Sequence, residues 1–153
     1  MRHDLWLSES STTNNRMALR SVIEALSAVA AKRARFDIVF TTDSRYIVDG
    51  MTQWVHSWAR LGWKRKGGAI ENLDLWRELV AKAGPHAIGW KWVRGHAGHP
   101  KNEYANELAT RAAAGRLDSG GLVASGFLTW LDAERRRGRY LSFEPDGEFE
   151  PRS

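Results

Sequence analysis

Cysteine is absent from the 153 residues, which excludes a disulfide framework and thiol catalysis. No apolar run approaches the ~20 residues a membrane-spanning helix needs. No signal-peptide pattern opens the chain: Met1-Arg2-His3-Asp4 leads into a short mixed segment rather than an apolar core. No internal repeat recurs. Together these absences favour a cytoplasmic protein without a membrane partner. What is present is ordinary in bulk, with 42% hydrophobic and 27% charged residues in a chain long enough for one real core. Two features are less ordinary. The net charge is +5, which is compatible with a nucleic-acid partner without proving one. Eight tryptophans are many for this length, and several lie near basic residues. Core packing is the default for each, and stacking on bases or sugars is the alternative.

The stretch from Thr41 to Trp54 organises the rest. An apolar strand, Phe36 to Phe40, runs into it. A helix leaves it, because Ile47, Val48, Met51, Trp54, Val55 and Trp58 recur at helical spacing. Asp43 therefore stands where a strand ends and a helix begins. Ligands bind at the carboxyl ends of strands in open α/β sheets, so a carboxylate there suits a hard metal ion. The plainer reading of Asp43 or Ser44 is a helix N-cap.

Taken in order, residues 4–9 read as a short strand. Thr13 or Asn14 caps a helix with Leu19, Val22, Ile23, Leu26, Val29 and Ala30 on one face. Lys32, Arg33 and Arg35 close it, favourably for the helix dipole. Residues 36–42 are almost continuously apolar, as in a buried parallel strand. The helix after Asp43 runs to about Arg60, and residues 61–68 form a loop with three successive cations. Asn72 is expected to cap a helix that buries Leu73, Trp76, Leu79 and Val80, stopped by Gly84-Pro85. Residues 87–94 alternate as a third strand. After the loop 95–100, a helix buries Tyr104, Ala105, Leu108, Ala109 and Ala112. Residues 118–121 read as a linker. A helix over about 121–137 carries Val123, Phe127, Trp130 and Leu131 and ends in Arg135-Arg136-Arg137. The tail from Phe143 is acidic and expected to be loosely ordered. Strands alternating with helices argue an α/β fold with parallel pairing. The domain reading is 1–116 with an extension at 117–153.

These segments, in this order and spacing, resemble bacterial type 1 ribonuclease H. The matching pieces are Thr-Thr-Asn-Asn-Arg-Met (12–17), Thr-Asp-Ser-Arg-Tyr-Ile (42–47), Gly-Met-Thr-Gln-Trp-Val-His-Ser-Trp (50–58), Gly-Trp-Lys (62–64), Asn-Leu-Asp-Leu-Trp (72–76) and Trp-Val-Arg-Gly-His-Ala-Gly-His-Pro-Lys-Asn-Glu (92–103), leading into Asn-Glu-Leu-Ala (106–109). They cover residues about 5–115, and nothing after Gly115 is matched. The resemblance implies an α/β fold, a ribonuclease H-like mixed sheet flanked by helices. This chain would lack the family's first strands and carry a C-terminal helical extension. The implied reaction is metal-dependent endonucleolytic cleavage of the RNA strand of an RNA/DNA hybrid. Four carboxylates would hold two Mg²⁺ (or Mn²⁺) ions, one activating water and the other stabilising the leaving oxygen.

Three of those four carboxylates are missing where the resemblance would put them. The chain begins at about the family's third strand, so the first has no counterpart. The Glu that follows Asn-Asn-Arg-Met is Ala18. Asp43 is present. The fourth position is Asn106, a neutral and weaker metal donor than a carboxylate. His96 is kept on the loop where the family uses a histidine. Two dications beside one negative charge would repel strongly. The expectation is therefore impaired or lost cleavage, with a non-catalytic hybrid-binding module or pseudoenzyme acting through partners as the alternative. A missing central strand would also leave an apolar strand edge. Three readings compete for it: a start downstream of the first strands, a gap filled by residues 139–143, and a strand donated to an otherwise monomeric protein by another chain.

The implied hybrid-binding surface is better preserved. Thr13, Asn14 and Asn15 match the loop that contacts backbone and minor groove. Trp54, Trp58 and Trp63 match the helix and basic protrusion that grip the DNA strand, with core packing the role expected for Trp54 and Trp76. Arg60, Lys64, Arg65 and Lys66 would neutralise phosphates. Arg45 replaces the usual Gln-like residue and adds charge near the substrate path. His96 and His99, three apart with no cysteine or third histidine nearby, are weak evidence for zinc.

Overall fold

In the computed structural model the fold grows from two parallel strands, β2 (Asp37–Thr42) and β3 (Ala87–Trp92), paired in register from Asp37 with Ala87 to Thr42 with Trp92. The structure describes residues 2–9, 12–95, 98–115 and 118–147. A histidine that no sequence pattern singles out braces the start of the strand pair. His86 is buried, its Nδ1 accepts from the Phe36 backbone N–H at 3.1 Å, and the Ala87 N–H donates to the Phe36 carbonyl. Ile38, Val39 and Phe40 are half-buried rather than fully enclosed, and among the described residues β2 pairs with β3 alone.

Helix α1 (Asn14–Ala30) is capped by Thr13, whose hydroxyl accepts from the Arg16 N–H. It buries Leu19, Val22, Ile23 and Leu26, while Val29 is half-buried and Ala30 exposed. After Asp43 the helical run has three parts: α2 (Arg45–Asp49), a wider π-type turn (Gly50–Trp54) and α3 (Val55–Arg60). Gly50 explains the local packing, because a Cβ there would run into the Trp76 ring. Helix α4 (Leu73–Ala83) packs on α1 and buries Leu75, Trp76 and Leu79. Asn72 sits at its N-cap position but does not cap it. Its backbone is left-handed (φ 57°), and its side chain accepts from Arg16 and donates to the Tyr46 hydroxyl instead. Arg16 also bonds Asp74, holding that carboxyl below the usual carboxylate range.

By contacts, the described chain divides into two units. One spans 12–92 and contains the elements above; the other combines 2–9 with 93–147. In the second unit the expected strand over 4–9 shrinks to β1 (His3–Asp4), antiparallel to β4 (Val123–Ala124). Val123 thus belongs to a strand, not to the helix expected over 121–137, and α6 covers Phe127–Arg136. The segment read as a linker is an edge partner: the Ser119 N–H donates to the Trp6 carbonyl, and Asp118 accepts from the Ser8 N–H. Helix α5 (Pro100–Gly115) opens on proline, whose missing N–H is no loss at a helix start. It buries Tyr104 and Ala112, leaving Leu108 half-buried and Ala105 and Ala109 exposed. Residues 139–143 form turns packed beside α6, with Arg135 donating to the Phe143 carbonyl, so they add no strand. Phe143 packs near Phe127, and Asp146 pairs with Arg2, so residues 143–147 are tied down rather than loose.

Candidate nucleic-acid interface

Asp43 follows the last residue of β2 and is half-buried. The helix cap beside it is Ser44, whose hydroxyl accepts from the Ile47 N–H at 3.3 Å. The Ser44 N–H in turn donates to Thr42 Oγ1 at 3.1 Å, fixing the strand-to-helix corner. The Asp43 backbone carbonyl accepts from Trp92 Nε1 at 3.2 Å, which joins the ends of the two parallel strands. Arg45, exposed at the start of α2, lies over the Trp92 ring, 4.2 Å from its centroid.

The aromatic part of the unit is built around Trp76, which is fully buried. Tyr46, Trp54 and Trp58 pack against it with ring centroids 5.0 to 6.2 Å away. The Tyr46 hydroxyl accepts from Trp76 Nε1 at 3.0 Å, which satisfies the indole donor inside the core. A cleft of about 330 Å³ opens beside Tyr46, Trp54, Trp58, Arg65 and Trp76. Trp54 and Trp58 are half-buried, so each packs on the core and still shows an edge. Trp63 has a positive φ of 63° and lies beneath Arg77. Arg60, Lys64, Arg65 and Lys66 are exposed, and Arg65 bridges back to Gly68 across a tight turn. Gly67 and Gly68 have positive φ, which glycine takes without strain. Thr13, Asn14 and Asn15 are exposed at the start of α1, where Thr13 is also the cap.

Asn106 belongs to the other unit. Its Nδ2 is buried without a hydrogen-bond partner, in a cleft it shares with Trp130, Glu134, Arg139 and Tyr140. His96 lies outside the described residues. The weak zinc pairing loses His99 to a plainer task, because its Nδ1 accepts from the Asn102 N–H at the start of α5. Ala18 is half-buried against the core around Trp76 and offers no donor. Among the described residues, no three acidic or histidine side chains gather into a group that could hold a metal ion. The donors among the described residues therefore do not fit a pair of Mg²⁺ ions. No described helix is long and apolar enough to cross a membrane.

Sequence reasoning missed Trp92, His86 and Tyr46 as organising groups. The signal for Trp92 was its position: it ends the strand next to the one that ends at Asp43, and parallel pairing sets the two ends side by side.

A parallel strand pair that ends beside a carboxylate and is flanked by helices defines an α/β domain. Residues 3–114 match the RNase H family model, and the chain belongs to that family. It is 50% identical over 107 residues to a Ribonuclease H of Zymomonas mobilis, covering 69% of this chain and 67% of that protein. It is 46% identical over 112 residues to a Ribonuclease H of Neisseria gonorrhoeae, covering 72% and 75%. Among solved structures it resembles LC9-RNase H1, described as a type 1 RNase H with the type 2 active-site motif. There the TM-score is 0.83 at 59% identity, covering 99% of this chain and 74% of that one. That alignment reaches past Gly115, where the sequence reading found nothing to match.

Proposed function

We propose that this chain recognises RNA/DNA hybrids and cleaves their RNA strand poorly or not at all. The observation that carries the reading is the contrast between the two residue sets. The exposed Thr13, Asn14 and Asn15, the half-buried Trp54, Trp58 and Trp63, and the exposed Arg60, Lys64, Arg65 and Lys66 offer groups suited to sugars, bases and phosphates. Ala18 and Asn106 offer no charge where the family's reaction needs carboxylates. In the family, Mg²⁺ or Mn²⁺ supplies the activated water; here Asp43 is the charged residue that remains to hold such an ion. The same contrast supports a non-catalytic hybrid-binding module working with partners. Cytoplasmic location, a monomer, and a strand accepted along the open edge of β2 belong to the same reading.

The test is a gel shift and a cleavage assay on one labelled hybrid, with Mg²⁺ or Mn²⁺, beside a family member that keeps all four carboxylates. We expect salt-dependent binding with cleavage far below the comparator. Cleavage at the comparator's rate, lost in Asp43→Ala, would overturn the impairment. Absence of binding at low salt would overturn hybrid recognition itself.

A further inference from the structure

We propose that Arg45 and Trp92 form one working unit, a positioning pair that grips a backbone phosphate of the bound hybrid beside Asp43. The inference rests on the hybrid-recognition reading above and deepens it.

Four observations carry it. Arg45 Cζ lies 4.2 Å from the Trp92 ring centroid, the shortest such approach among the described residues. Trp92 is 37% exposed and Arg45 is exposed, so the pair lies at the surface within reach of a ligand. The indole is fixed from behind, because its Nε1–H is spent on the Asp43 carbonyl. Finally, Arg45 is the first residue of α2, where a cation opposes the helix dipole, so helix stability does not account for it.

The chemistry follows from these positions. A guanidinium over an aromatic face keeps its N–H donors at its rim, pre-arranged for two phosphate oxygens. An arginine held by an indole also loses less freedom on binding than one waving in water. Trp92 itself need not touch the nucleic acid. It acts through Arg45, and both are tied to the corner that sets Asp43.

Fluorescence anisotropy with the 153-residue chain and a labelled RNA/DNA hybrid, titrated across salt, tests the proposal. Arg45→Gln should weaken binding roughly tenfold and reduce the salt slope by about 0.9, the share of one phosphate contact. Trp92→Leu, with the charge intact, should weaken binding several-fold and leave most of the slope. Arg45→Lys should restore the slope but not the affinity. Arg45 is exposed, so its variants should keep the wild-type thermal midpoint, which guards against a folding artefact. Wild-type affinity and slope in both Arg45→Gln and Trp92→Leu would overturn this inference and leave hybrid recognition standing. A wild-type chain that does not bind the hybrid would overturn both.

Discussion

Residues 12–92 bury eleven apolar side chains in one cluster centred on Trp76, whereas the unit made from 2–9 and 93–147 gathers its own around three, Tyr104, Phe127 and Leu131. The first unit is built from consecutive chain, and its polar groups trim the edge of an apolar core. The second is closed by segments more than a hundred residues apart. Its centre holds a carboxylate: Asp4 is buried, accepting from the Tyr104 hydroxyl at 2.5 Å and from the Gly126 N–H at 3.0 Å. One region is held by area removed from water and the other by a buried polar staple across a long loop. Area is forgiving of small changes, while a staple fails when either end is removed.

That contrast can be broken by mutation. Trp76→Ala should cost the most, about 3–5 kcal/mol, because a fully buried indole leaves a cavity its neighbours cannot fill. Urea unfolding followed by circular dichroism measures it, and a cost below about 1 kcal/mol would mean that the aromatic cluster is not the centre of that core. Asp4→Ala should come next, at about 1–3 kcal/mol, since it strands the buried Tyr104 hydroxyl and leaves the Gly126 N–H without its partner. If the staple is the right description, Asp4→Ala combined with Tyr104→Phe should cost less than the sum of the two single changes; strict additivity would contradict it. Ser44→Ala removes the cap of α2 and should cost about 1 kcal/mol by the same unfolding assay.

A further test is a pH dependence confined to the stapled unit. Burial, and then the bond to Asp4, push the Tyr104 hydroxyl up to about 12 from its usual 10. The folded state therefore holds this proton more tightly than the unfolded chain does. Its contribution is complete below pH ~10 and is lost as the pH rises toward 12. Stability measured between pH 9 and 12 should fall more steeply in the wild type than in Tyr104→Phe. Identical slopes would show that the hydroxyl is not stapled in solution.

Much of the first unit was legible because its signals are local. A cap at Thr13 or Asn14, the apolar face of α1, the strand running into Asp43 and the helical spacing from Ile47 to Trp58 all follow from residues within a few positions of each other. Asn72 shows where local reasoning stops: it has the chemistry of a cap, but Arg16 and Tyr46, distant in sequence, claim its side chain. The second unit was read less well for the same reason. Val123 looked helical by spacing until His3 and Asp4, from the other end of the chain, offered it a strand partner. The candidate site divides likewise. The exposed basic loop and Asp43 could be named from motifs, whereas the Arg45–Trp92 pair could not, since parallel pairing brings those residues together across nearly fifty positions.

The sequence by itself determined the family, the α/β class, the identities Ala18 and Asn106 that the proposed reading turns on, and the run of cations at 64–66. Those properties reside in residue identity and short-range order. Only the tertiary structure decided that Asp4 is a staple, that Ser44 rather than Asp43 caps α2, and that Trp92 carries Arg45. Each depends on which distant groups compete for the same donor or ring, and burial and hydrogen-bond geometry settle that competition.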